Sequence, residues 1–228
     1  MKIIDQSVKV FYPRSLEDGV HELQDIEAAG RNCWRSEERI TEDSYESFIK
    51  NLLKRGHESP IEFATIKLDI MTSRDILAEI TRHRLVSFAV ESQRYVNESK
   101  DEGGIKFIKP LFYLPFDPYF DYEKNRLYEK LGDKIAYEAS RKWEDAMELA
   151  EDAYNQLINM GMKNQDARKV LPNSTACRIM MKCNLRELRH IYALRSSPAA
   201  YPEMRELMRL LKIEVDKVYP GFLPEEKD

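Results

Sequence analysis

Arg82-His83-Arg84-Leu85-Val86-Ser87-Phe88-Ala89-Val90-Glu91-Ser92-Gln93-Arg94-Tyr95 places three arginines, a histidine and two serines within fourteen residues. Guanidinium groups are permanently charged planar forks that grip phosphate through paired hydrogen bonds, and a serine hydroxyl between them adds a donor and an acceptor without bulk. The stretch therefore reads as an anion site. A plain solvated basic face is the competing explanation. It fits less well, because Leu85, Val86, Phe88, Ala89 and Val90 stand between the charges where an ordinary basic surface would carry Lys and Glu.

Composition limits what surrounds this stretch. With 228 residues, 43% hydrophobic and 33% charged, the chain is long enough to bury a core as a single domain over 1–228 with a helical excursion. A net charge of -4 and a pI near 5.8 argue against a dedicated nucleic-acid binder, which would show a basic excess. The arginines must be concentrated locally instead. No run approaches about 18 apolar residues, the length a membrane helix needs. The start, Met1-Lys2-Ile3-Ile4-Asp5-Gln6, lacks the apolar region of a signal peptide. The expectation is a cytoplasmic protein without a membrane partner.

Cys33, Cys177 and Cys183 are odd in number and far from any C-x-x-C spacing, which fits a reducing compartment and no zinc or other metal site. They are expected as buried or strand-borne thiols, Cys33 beside Trp34 being a nucleophile only in principle. The chain has only 8 glycines and neither a G-x-G-x-x-G nor a P-loop. A phosphorylated ligand must be held mainly by side chains and helix ends.

Outward from the opening stretch, the pattern alternates strands with helices. Residues 8–12 read as a first strand, ended by Pro13. Ser15 is a plausible N-cap for a helix carrying Leu16, Val20 and Leu23, which Gly30 could interrupt. The spacing of Tyr45, Phe48, Ile49, Leu52 and Leu53 predicts an amphipathic helix over 41–55, with Gly56 just past its end. His57-Glu58-Ser59-Pro60 turns into a strand in which Ala64, Ile66, Leu68 and Ile70 alternate with polar residues.

Ser73 or Asp75 then starts a helix with Ile76, Leu77 and Ile80 inward, which would place Glu79, Arg82 and His83 on one shared face. Residues 99–118 are punctuated by Gly and Pro and read as loops, and a long helical pattern follows over 119–160, with a break at Leu131-Gly132 considered. Cys177, Ile179, Met181 and Cys183 alternate as another strand. Asn184 looks like the N-cap of a helix over about 185–194 that exposes Arg186, Arg189 and His190 and ends at Arg195. A last amphipathic helix carries Met204, Leu207, Met208, Leu211 and Val215, and the acidic tail after Pro224 reads as disordered. The fold class predicted is α+β, a mostly antiparallel sheet covered by helices with a long helical excursion.

Two arginine foci about a hundred residues apart, on strand–helix junctions poor in glycine, suggest a site for a multiply phosphorylated ligand plus a smaller anion. Residue chemistry by itself announces neither a methyl transfer nor a flavin. The spacing Arg82-His83-Arg84, seven residues, Ser92, one residue, Arg94 resembles the signature of the flavin-dependent thymidylate synthases. The resemblance runs from Ala28-Ala29-Gly30-Arg31-Asn32-Cys33-Trp34 to Pro202-Glu203-Met204-Arg205.

That resemblance implies a methyltransferase of nucleotide biosynthesis that binds FAD and converts dUMP to dTMP. Methylenetetrahydrofolate would be the carbon donor and NADPH the reductant, and the assembly a homotetramer with sites at subunit interfaces. It implies that Ser59, Arg82, His83, Arg84, Asn184, Arg186 and His190 lie near FAD, with His57 near the flavin ring. Ser92, Arg94 and Arg168 would hold the nucleotide phosphate, with Glu79 and Arg82 close to the nucleotide. Arg195, eleven residues after Asn184, would face the uracil carbonyls as the catalytic residue. No cysteine nucleophile is needed.

The chain departs from the family pattern at four places. Glu79 stands where Gln is usual, Val90 where Glu or Gln is usual, Phe63 where His is common, and Tyr201 where Gln is frequent. A divergent member methylating another uracil nucleotide, or a non-catalytic nucleotide-binding module using the same arginines, are the alternatives.

Overall fold

A computed structural model of the chain describes residues 1–100, 102–114 and 133–224. The elements in order are β1 (Lys2–Ile4), β2 (Ser7–Tyr12), α1 (Leu16–Trp34), α2 (Ser44–Arg55), β3 (Thr65–Ser73), α3 (Arg74–Ile80) and β4 (Ser87–Val90). They continue with β5 (Lys106–Ile108), α4 (Asp133–Asn159), α5 (Asn164–Ala167), β6 (Ala176–Asn184), α6 (Leu185–Arg195) and α7 (Pro202–Val215). The fold is mixed helix and strand, as predicted. Its main sheet is antiparallel, with strand order β2-β3-β6-β4, and β1 and β5 form a separate parallel pair. The helical pattern expected over 119–160 lies outside the described residues as far as 132, the considered break at Leu131-Gly132 included, and so does the tail after Pro224.

Packing divides the chain into two compact units. The first comprises Met1–Ser7, Met71–Ile80 and Val90–Arg178. Its core is Ile105, Phe107, Met147, Tyr154 and Ala167, with Trp143 and Leu157 packed against it. α4 supplies Trp143, Met147, Tyr154 and Leu157 to this core, while its Ile135 is exposed. β1 and β5 pair in parallel with Ile3 opposite Phe107. Neither strand was expected, because three residues carry too little periodicity to register.

The second unit comprises Val8–Ile70, Thr81–Ala89 and Ile179–Asp228. It holds most of the four-stranded sheet. Ile66, Leu68 and Ile70 of β3 and Ile179, Met181 and Cys183 of β6 are buried while their neighbours are not, which is the period of two that a half-buried strand requires. Each such side chain contributes about 1.5–3 kcal/mol on removal from water. α7 buries Met204, Leu207, Met208, Leu211 and Val215, the five residues its pattern predicted.

Several local expectations are corrected. α1 continues through Gly30, where a Cβ would stand 2.5 Å from the Phe48 ring. The glycine allows close approach of α2 and does not break the helix. α2 begins at Ser44, after a turn over residues 41–43. α3 ends at Ile80, so Glu79 shares no helical face with Arg82 and His83. β4 falls inside the opening stretch, where Phe88, Ala89 and Val90 are all apolar and give no period of two. Cys177 and Cys183 are buried on β6 as expected, but Cys33 is exposed on a helix. Arg189, expected on the surface, is half-buried, with its Nη1 donating to the Phe222 carbonyl at 2.6 Å. Among the described residues no helix is long and apolar enough to cross a membrane.

Candidate functional site

In the second unit the opening stretch begins as a turn. Arg82 and Arg84 point to solvent, and their side chains make no hydrogen bond or ion pair among the described residues. His83 between them is buried, with 6% of its surface exposed. It receives a hydrogen bond from Arg195 Nε to its Nε2 at 3.1 Å, although the two residues are 112 positions apart. An imidazole nitrogen that accepts carries no proton, so the proton of neutral His83 is on Nδ1. That nitrogen faces Glu187 Oε1 at 3.6 Å. Burial, then the positive Arg195, then His190, all pull the His83 pKa below its ordinary value. The neutral form is therefore the one the fold selects.

Asn184 sets the other side. Its carboxamide oxygen accepts from the Glu187 amide at 2.8 Å, the N-cap interaction its position predicted, and α6 starts there. One helical turn separates Arg186 from His190, so both come to one face and line a cleft of about 660 Å³ with Asn184, Glu58 and Glu62. Arg186 is gripped by Glu62 at 2.6 Å and approached by Glu58 at 3.6 Å. The His190 ring meets His83 edge to face, with centroids 5.9 Å apart. His57 and Ser59 flank Glu58 in sequence, both exposed, and His57 stacks beside Trp34 with an interplanar angle of 27°.

Ser92, Arg94, Arg168 and Glu79 belong to the first unit. Ser92 shapes the turn after β4, with its hydroxyl accepting from the Arg94 amide at 3.3 Å and its carbonyl from the Tyr95 and Val96 amides. The Arg94 guanidinium lies 5.5 Å from the Tyr95 ring centroid. Asn164, which opens α5, donates to the Tyr95 carbonyl at 3.3 Å, and Arg168 follows directly on α5. This bond ties the Ser92–Arg94 turn to the segment that carries Arg168. Both arginines are exposed, and Glu79 is half-buried on α3.

Sequence reasoning missed the carboxylates. Glu187, Glu58 and Glu62 define which charges are held, and none was singled out. Glu187 could have been found, since it lies four residues before Ile191 on the buried stripe of α6. A second cleft was missed as well. It measures about 470 Å³ and is lined by Arg31, Trp34, Arg35, Arg39, Arg55 and His57.

Comparison with known proteins identifies the family. The family model described as thymidylate synthase complementing protein matches residues 16–221. The flavin-dependent thymidylate synthase of Haloarcula marismortui is 34% identical over 183 residues, covering 77% of this chain and 72% of that protein. That of Pyrococcus furiosus is 33% identical over 177 residues, covering 76% of this chain and 64% of that protein. Among solved structures, a UMP/dUMP methylase from Streptomyces cacaoi bound with 5-Br dUMP superposes with a TM-score of 0.71. It is 23% identical, and the match covers 97% of this chain and 95% of that one. With a family match spanning nearly the whole chain and relatives a third identical, the chain belongs to the flavin-dependent thymidylate synthase family of methyltransferases.

Proposed function

We propose that the protein converts dUMP to dTMP by FAD-dependent reductive methylation, with methylenetetrahydrofolate as carbon donor and NADPH as reductant. The observation that carries the reading is the Arg195–His83 hydrogen bond, which joins the middle of the Arg-His-Arg signature to the arginine proposed to face uracil. The residues present fit the flavin nucleotide. The cleft beside Asn184, Arg186 and His190 offers donors together with the acceptors Glu58 and Glu62, a mixture suited to ring edges and ribose hydroxyls. Arg82 and Arg84, uncommitted within the described residues, remain for the diphosphate. Bound flavin supplies the reducing equivalents that the methylation needs.

The chain's own residues supply position and charge. Arg195 stabilises the negative charge that develops on the uracil carbonyls when carbon 5 becomes nucleophilic, an effect of about 3 kcal/mol for one well-placed donor. Because guanidinium does not titrate near neutrality, that charge is present at every working pH. Neutral His83 holds Arg195 by its Nε, and the carboxylate of Glu187 faces the protonated nitrogen at 3.6 Å. Ser92, Arg94 and Arg168 hold the nucleotide phosphate. The test is an absorption spectrum after saturation with FAD and gel filtration, followed by chromatographic detection of dTMP. A colourless protein, or a yellow one that forms no dTMP from the full set of substrates, overturns the reading.

A second reading, methylation of another uracil nucleotide, is favoured by Glu79 standing where the family has Gln and by the likeness in fold to a UMP/dUMP methylase. Titration of both nucleotides against the oxidised flavoprotein, before and after Glu79→Gln, decides between them. We expect dUMP to be preferred and its apparent affinity to change less than about tenfold, roughly 1.4 kcal/mol. A much larger tightening, or far better methylation of UMP, makes Glu79 a selectivity element and the second reading correct.

A further inference from the structure

Of the cleft lined by Arg31, Trp34, Arg35, Arg39, Arg55 and His57, only His57 has been given a place in the reaction above. Its positive charge is compensated only in part. Glu38 is the carboxylate among its lining residues and stands 3.4 Å from Arg39, while Arg31 is neutralised from behind by Glu27, which takes its Nε and Nη2 at 3.0 and 2.8 Å. The Arg35 and Arg55 side chains make no hydrogen bond or ion pair among the described residues.

Two further features separate this cleft from a solvated basic surface. Arg35 closes α1 in the left-handed conformation, φ 46 and ψ 55, a position where glycine is the unstrained choice. An arginine held there at a conformational cost implies that its side chain is wanted. Beside it Trp34 leaves 53% of its surface exposed, its ring stacked on His57 and meeting the Phe48 edge. An open aromatic face next to unpaired guanidinium groups suits a ligand with a planar ring system and an anionic tail.

We infer that this cleft is the subsite for the multiply anionic end of a ring-bearing co-substrate. The chemistry is shared by two sources, the glutamyl carboxylates of the folate carbon donor and the 2′-phosphate-bearing end of NADPH. The inference rests on the proposed function, since His57 both lines this cleft and is the residue proposed to lie near the flavin ring.

Two substitutions test it. Arg35→Gly removes the charge and relieves the left-handed strain, so the variant should melt no lower than the parent, and Arg55→Gln acts on an exposed position of α2. Kinetics of the FAD-loaded full chain are measured with mono- and pentaglutamyl methylenetetrahydrofolate and with NADPH and NADH. The parent should prefer either the pentaglutamyl donor or NADPH by about tenfold or more in kcat/KM, the usual effect of a charge-assisted bond. The double variant should lose that preference through KM, with kcat and the flavin spectrum retained. Collapse of the chain-length preference identifies the glutamyl tail, and collapse of the NADPH preference identifies the phosphate. No preference in the parent, or preferences unchanged in the variants, overturns the subsite.

Binding separates this inference from the function it rests on. Trp34 is one of two tryptophans, so quenching of its fluorescence by pentaglutamyl folate or NADPH reports on the cleft without turnover, with Trp34→Phe as the control. Saturable quenching that the double variant loses supports the cleft even if no dTMP forms. Absence of saturable quenching by either compound overturns it.

Discussion

His83 has an electrostatic position that decides how Arg195 is held. It is buried and beside two basic residues, and these causes lower its pKa in that order. The folded state then binds fewer protons than the unfolded chain between the lowered value and the unperturbed one of about 6.5. Its contribution to stability is therefore fully present above about pH 6.5 and is lost as pH falls toward the folded pKa. Denaturant unfolding followed from about pH 8 to about pH 5 should show that loss, and His83→Gln, whose carboxamide oxygen accepts from Arg195 without titrating, should shrink it. An identical pH slope in the variant would show that some other group is responsible. Arg195→Ala should leave flavin bound yet lower dUMP methylation by about 100-fold or more, because a donor to a developing anion is missed mainly in the transition state. Ordinary turnover in that variant would refute the role proposed for Arg195.

At the scale of elements, α1 shows how close approach governs sequence. Ser15 caps it by accepting from the Asp18 amide at 3.1 Å, as its position predicted. Within it a Cβ on Gly19 would meet the Val218 carbonyl oxygen at 2.0 Å, a backbone atom that cannot step aside. Gly19→Ala should destabilise the protein by about 1–3 kcal/mol despite the higher helix propensity of alanine. Thermal melts of the two forms provide the check, and an alanine variant at least as stable as the parent would mean that the helix and the chain near Val218 are less tightly packed. The long strands were readable because burial alternates over eight of the nine residues in β3 and in β6. The short ones were not. β1 and β5 have three residues each and exist through their pairing, a contact between positions 2–4 and 106–108 that neither segment announces alone.

At the scale of the whole molecule, each unit leaves large apolar side chains in solvent, Leu85 at 77% and Phe63 at 68% in one and Tyr95 at 78% and Leu149 at 70% in the other. Apolar exposure of this kind on a catalytic chain is what subunit contact covers. We expect light scattering to give four times the 26.9 kDa chain mass, and a monomer carrying full activity would exclude the tetramer proposed for it. By itself the sequence determined what local physics encodes: the period of β3 and β6, the caps at Ser15 and Asn184, the left-handed stop at Gly56, the buried stripe of α7 and the signature spacing that names the family. Only the tertiary structure decided which charges meet. It joined His83 to Arg195 across 112 positions and Arg186 to Glu62 across 124, and it buried Glu187 against His83. Periodicity and capping are settled within one or two helical turns. The entropy of closing a loop, by contrast, grows only as the logarithm of its length, so separation along the chain says almost nothing about which distant side chains will pair.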